Sequence, residues 1–161
     1  MASTLEILTA AQAALLLNKP TVTLYQTSSQ NIANGGTYSA ITFQTAVGDT
    51  WGGWSSGSPT VWTVPVAGTY LLSAATCWAG NSSGNRFHII DKNAVEIPGS
   101  KTEQPGSSAG AAQSIQGPTV TAAASAGDTI SLLAAQTSTT NPLGTFAGDP
   151  YCSLVITFLH F

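Results

Sequence analysis

The chain is 161 residues long, enough for one domain with a sizeable core. Only 7% of its residues are charged, against about 25% in an average globular protein, yet 43% are hydrophobic, which excludes disorder, since disordered chains are charge-rich and apolar-poor. The net charge is -3, and the basic residues Lys19, Arg86, Lys92 and Lys101 make no patch, which argues against nucleic acid as a partner. No apolar run has the length of a membrane span, so no membrane partner is expected either.

In chain order, residues 3 to 17 are the only helical stretch. Ser3 followed by Glu6 makes a capping box, Ala and Leu dominate after it, and Asn18 with Pro20 ends it. Leu5, Leu8, Leu15 and Leu16 fall close to one face, and Ile7, Ala11, Ala14 and Leu17 widen the apolar stripe. A helix of about four turns is marginal alone in water. It either folds back on its own domain or anchors the chain to another subunit or a scaffold. As a secretory signal it is unconvincing, because it lacks a basic start and carries Glu6, although Ala10 to Leu17 has the apolar character of one. Residues 1–20 are therefore read as a helical extension and 21–161 as one β domain.

From Thr21 onward, short runs of Val, Ile, Thr and aromatics alternate with Gly, Asn, Ser and Pro clusters, the pattern of a sandwich or barrel. The expected strands are 21–27, 37–43, 60–64, 69–79, 85–91, 94–97, 113–121, 128–137 and 151–161. Turns are expected at Asn34-Gly35-Gly36, Gly80 to Gly84, Lys92-Asn93 and Ala126-Gly127-Asp128, with long surface loops over Gly99 to Gly110 and Ser138 to Pro150.

The closing stretch, Tyr151 to Phe161, is apolar on both alternating faces. Cys152, Leu154, Ile156 and Phe158 point one way; Tyr151, Val155, Leu159 and Phe161 point the other. A strand of a two-layer β protein needs one buried face only. The second apolar face asks for a further partner, and the economical one is another copy of the chain.

Candidate chemistry is sparse. His88 and His160 lie inside expected strands with no motif around them, and no nucleophile-elbow, zinc-helix or phosphate-loop pattern occurs, so no enzyme activity and no cofactor are expected. Asp49, Asp91, Asp128 and Asp149 stand at loop or strand ends without calcium-loop spacing; they are read as turn caps, and no metal is expected. Trp51 and Trp54 flank two glycines. They are core or inter-subunit packing, or else exposed platforms on which a host glycan would stack. In 69–79 the bulky face is Tyr70, Leu72, Ala74, Thr76 and Trp78, which turns Cys77 outward while Cys152 points inward, so the two thiols are expected free.

The run Val64-Pro65-Val66-Ala67-Gly68-Thr69-Tyr70-Leu71-Leu72-Ser73, then Arg86 to Val95 as a hairpin, then Gly127-Asp128-Thr129-Ile130-Ser131-Leu132, and finally Tyr151 to Leu159 fall in an order that resembles the jelly-roll domain shared by the globular complement head and the tumour necrosis factor superfamily. The resemblance spans residues 37 to 161. Ala94 stands where that family usually has a turn glycine, and Ser153 where its last strand usually has glycine. It implies an all-β, two-sheet antiparallel jelly-roll sandwich, assembled as a homotrimer about a three-fold axis. The outer face of the last strand then lies in the contact, with Tyr151, Val155, Leu159, Phe161 and Leu71 as the interface residues.

The short helical extension, the Asn-Gly-Gly hairpin and the low charge look most like small virion proteins of tailed phages that attack actinobacteria. That resemblance implies a capsid decoration protein on the outer surface of the particle, assembled in the host cytoplasm and seated on the major capsid protein or another virion protein through Leu5, Leu8, Leu15 and Leu16. The alternatives are a head-fibre or tail-tip module that recognises the host cell surface, with Trp51 and Trp54 as ligand contacts, and a secreted complement-like binding protein.

Overall fold

The computed structural model describes residue 13 and residues 17–107, 111–148 and 151–161. The expected anchoring positions Leu5, Leu8, Leu15 and Leu16, and also Asp149, lie outside the described residues. The described chain forms β1 (Thr21–Gln26), β2 (Asn31–Ile32), β3 (Ser39–Ala40), β4 (Thr45–Val47), β5 (Trp62–Thr63), β6 (Gly68–Trp78) and β7 (Asn85–Lys92). It continues with β8 (Val95–Glu96), β9 (Thr102–Pro105), β10 (Gln113–Gln116), β11 (Val120–Ala124), β12 (Thr129–Gln136), β13 (Leu143–Gly144) and β14 (Cys152–His160).

Two antiparallel sheets face each other in a jelly-roll sandwich. The first runs β4–β1–β14–β6, with β10 and β11 end to end along the far edge of β6. The second is centred on β12 and β7; β3 and β5 flank β12, and β8 and β9 flank β7. Alternation along each strand builds the core between them. Val22 and Leu24 of β1, Tyr70, Leu72 and Trp78 of β6, and Leu154, Ile156 and Phe158 of β14 meet Trp62, Ile90, Ile130 and Leu132 of the second sheet, all buried. Tyr70 is the hinge of this packing. Its ring lies edge-on between Trp62 and Phe158, with centroids 5.6 and 5.4 Å away, and its hydroxyl donates to the Val66 carbonyl at 2.6 Å. Gly68 is required beside it, because a Cβ there would run into the Phe158 ring.

Several elements depart from the sequence expectation. The strand expected over 113–121 is two strands: Gly117 and Pro118 interrupt it, proline having no amide to give the ladder. The strand expected over 37–43 keeps only Ser39–Ala40 as a ladder, after which the Ile41 and Phe43 amides bond Leu132 and Pro59. Both long loops carry structure. Residues 102–105 form β9 against β7, and 143–144 pair with β2, with Ser138, Leu143 and Thr145 buried. Gln136 holds the second loop, accepting from the Ser138 amide and hydroxyl at 2.6 Å each while its own amide donates to the Ile32 carbonyl at 3.1 Å.

The β7–β8 hairpin turns on Asn93 and Ala94, both left-handed with φ of 52° and 63°. A left-handed L-residue costs about 1–2 kcal/mol, of which the looser unfolded chain of glycine takes back about 0.4–1 kcal/mol. Ala94→Gly is therefore expected to stabilise the protein by about 0.5–1 kcal/mol, read as a higher denaturant midpoint at unchanged slope; an unchanged or lower midpoint refutes the strain.

Both cysteines are free and fully buried. Cys152 points into the sandwich with its Sγ 3.0 Å from the Cys77 amide nitrogen, and burial pushes its thiol up to about 12. Cys77, on the opposite face of its strand, is buried as well, where the Gly144–Phe146 backbone runs alongside and the Phe146 amide donates to the Cys77 carbonyl at 2.8 Å.

Candidate functional site

The outward face of the first sheet is built from the same alternation that makes the core. With Val22, Leu24 and Gln26 turned in, β1 shows Thr21, Thr23 and Tyr25; β14 shows Ser153, Val155, Thr157 and Leu159; β6 shows Leu71 and Ser73. Strand register sets these side chains in rows across the sheet. One row is Val47, Thr23, Val155 and Ser73; the next is Thr21, Thr157, Leu71 and Thr121; a third is Thr45, Tyr25, Ser153 and Ala75. Val47 and Leu71 are 57% and 37% exposed, large values for apolar side chains on a regular sheet. Tyr151, just before β14, lies beyond the third row with its ring edge-on to Tyr25, centroids 5.9 Å apart.

No Asp, Glu, Lys or Arg occurs in any strand of this sheet. The second sheet carries all the strand charges: Arg86, Asp91, Lys92, Glu96 and Glu103. The first face is thus neutral and mixed in Val, Leu, Tyr, Thr and Ser, a composition that loses little on desolvation and gains from burial.

Of the positions expected in a subunit contact, Val155, Leu159, Leu71 and Tyr151 lie on this face. Phe161 does not extend the alternation. A bulge between Phe158 and His160 shifts the register, and the Phe161 ring packs edge-on against the core residue Phe158, centroids 5.5 Å apart. Thr23, Tyr25 and Val47 belong to the face and escaped the sequence reading. The Thr-Val-Thr-Leu-Tyr alternation of β1 carried the signal for the first two; the three-residue β4 carried none.

Trp51 and Trp54 lean against the core rather than stand free. Asp49 shapes their loop, accepting from the Gly53 and Trp54 amides at 3.1 and 2.8 Å and from the Trp62 indole at 3.2 Å, so the aspartate is a turn cap. The Trp51 indole donates to the Asn18 carbonyl at 2.7 Å, and the Lys19 ammonium reaches the Leu159 carbonyl at 3.3 Å. Asn18 and Lys19 are thereby fixed beside Trp51 and Leu159, at one end of the neutral face, and Leu17 is 89% exposed.

A surface depression of about 380 Å³, lined by Gly68, Thr69, Lys92 and Phe161 among others, holds one ionisable side chain, Lys92. Its ammonium is spent on the Ala123 carbonyl at 2.8 Å and on Asp128 at 3.6 Å. Asp128 is held below its ordinary value by bonds from Asn93 and the Ser125 amide. Among the described residues no three His, Cys, Asp or Glu side chains stand together as metal ligands would.

No family model matches the chain, and no curated protein matches it. Solved structures do. The globular domain of a zebrafish complement 1qA protein superimposes with a TM-score of 0.63 at 10% identity, covering 88% of this chain and 98% of that one. The tumour-necrosis-factor protein Eiger from S. frugiperda gives 0.58 at 11% identity over 86% and 91% of the two chains, and murine APRIL gives 0.56 at 13% identity over 86% and 98%. At these identities the likeness is one of fold, and the fold is the complement-head and tumour-necrosis-factor jelly roll.

Proposed function

We propose that this chain is a homotrimeric structural protein of a phage particle, seated on the outer surface of the capsid and joined to it by the N-terminal segment. The neutral first-sheet face carries the reading: an uncharged surface with exposed Val47 and Leu71 and half-buried Val155 suits association of three copies about an axis. The tethering of Asn18 and Lys19 beside Trp51 and Leu159 supports the anchor, because three-fold symmetry about that face sends all three N-terminal segments out of the same end of the assembly. The receptor-binding alternative loses its sequence support, since Trp51 and Trp54 are packed and both indole N–H groups face carbonyls.

Deleting residues 1–19 tests the assignment. The truncated protein is expected to remain a folded trimer whose melting transition falls only by the loss of the Asn18 and Lys19 bonds, and to be absent from purified particles that carry hundreds of copies of the intact chain. Truncated protein at full occupancy on particles, or intact protein present in only a handful of copies, overturns the reading.

A further inference from the structure

The interior of the sandwich holds a histidine that the assembly does not use. Arg86, His88 and Ile90 of β7 point inward, and His88 is 0% exposed. Its Nδ1 lies 3.1 Å from Thr76 Oγ1, and that same oxygen accepts from the Trp78 indole at 3.1 Å. The threonine oxygen thus serves both the indole and the imidazole, and it is the only hydrogen-bond partner the His88 ring has among the described residues. Nε2 has no partner. It faces the backbone of Gly117, where a Cβ would collide with it, and the Gly117 amide is itself bonded to the Ala74 carbonyl at 2.9 Å.

The surroundings offer a positive ring nothing. Across the ladder from His88 stand Ala134 of β12 and Thr102 of β9. From the first sheet it meets Thr76 of β6 and the Gly117 connection. The nearest acids by sequence, Asp91, Glu96 and Glu103, belong to the opposite face of the second sheet, Glu96 standing beside Asp91 and Glu103 beside Phe87, and the charge that shares the inward face of β7 is the cation Arg86.

We propose that His88 is an acid-sensitive release built into the fold: protonating its ring puts a second positive charge inside the sandwich, which is relieved by opening the Gly117–Pro118 break between β10 and β11 to water. That break is the weakest point beside the ring, because the ladder along β6 is already interrupted there. Burial lowers the ring from its ordinary value of 6.5 to about 4. Between those values the unfolded chain binds the proton and the closed form does not, so the contribution is complete above 6.5 and is lost as the pH falls toward 4. The full difference is about 300-fold in the equilibrium. Asp91, pushed up by its own burial, takes its proton more readily when folded and works in the opposite sense.

A ring-proton titration by NMR of the intact wild-type chain follows His88 directly. The expected result is that His88 stays neutral down to pH 5 (about one unit above its lowered value), and that protection factors of the amides at 115–120 fall as His88 begins to charge. His88→Gln, which cannot take a proton, is expected to keep that protection across the same range. A His88 ring that titrates near 6.5, or charges without any loss of protection at 115–120, overturns the proposal. So does a folded His88→Gln protein that loses protection as the wild type does; should that variant not fold, the wild-type titration alone decides.

Discussion

Val155→Asp is expected to turn the trimer into folded monomers. Val155 stands in the middle of the neutral face, between Thr23 and Ser73 in its row, while its neighbours in sequence, Leu154 and Ile156, are fully buried in the core. The substitution therefore leaves the inside of the sandwich alone. At the proposed interface it forfeits about 1 kcal/mol of apolar burial per copy, since Val155 is already half-buried in the single chain, and a carboxylate without a cation costs several kcal/mol more. No Lys or Arg exists in any strand of that sheet to pair with it. With three copies about one axis, as proposed, the penalties add, and the like charges repel. Sedimentation at micromolar concentration reads the result: a trimer mass for wild type and a monomer mass, with an unchanged far-ultraviolet dichroism spectrum, for the variant. A wild-type protein that sediments as a monomer, or a variant that stays trimeric, removes the interface assignment.

Arg86→Met is expected to cost the fold itself about 2–4 kcal/mol. Arg86 is fully buried, with no carboxylate beside it. Its Nη1 donates to the Ser83 and Asn85 carbonyls at 3.0 and 3.3 Å and its Nη2 to the Asn81 carbonyl at 2.9 Å, so one guanidinium ties down the 81–85 turn. The guanidinium also lies over the Trp78 ring, 6.0 Å from its centroid. Methionine matches the stem and spares the chain the burial of a charge, a gain that works against the loss. The loss is greater, because charge-assisted bonds are worth about 1.5–3 kcal/mol each and the carbonyls they leave behind share a crowded turn. A Cβ on Gly84 would run into the Thr137 backbone, so the turn has no room to re-form its bonds elsewhere. Denaturant unfolding measures the difference, and a midpoint within error of wild type contradicts the assignment of Arg86 as the tie.

The sandwich was legible where strands are long and alternate cleanly. The burial of Val22 and Leu24, of Tyr70, Leu72 and Trp78, and of Leu154, Ile156 and Phe158 follows the period of two in the sequence. What escaped was short or polar. The strands Asn31–Ile32, Thr45–Val47, Thr102–Pro105 and Leu143–Gly144 have too few residues to show a period; Thr45–Val47 and Thr102–Pro105 form because β1 and β7 offer them an edge, and Asn31–Ile32 and Leu143–Gly144 pair with each other. Candidate interface positions were legible in β14, where both faces are apolar. In β1 the outward threonines look like ordinary solvent-facing residues, and only the register that sets Thr23 beside Val155 and Val47 makes them part of one surface. His88 and Arg86 show nothing unusual in sequence; their isolation from carboxylates is a property of which face each strand turns inward.

β14, the last strand, is also the centre of the first sheet, lying between β6 and β1. The partner of Thr21 is Thr157 and the partner of Tyr25 is Ser153, so the beginning of the domain waits for its end. Until β14 has been made, β1 and β6 both lack their shared neighbour, and the sheet closes only once β14 joins them. Closing a loop that runs from Thr21 to Thr157 carries the largest entropic cost in the fold. Until then two strand edges stay open to wrong pairings, and the neutral face does not exist. Association through that face, as proposed, is thereby postponed until β14 is in place, an ordering set by connectivity alone.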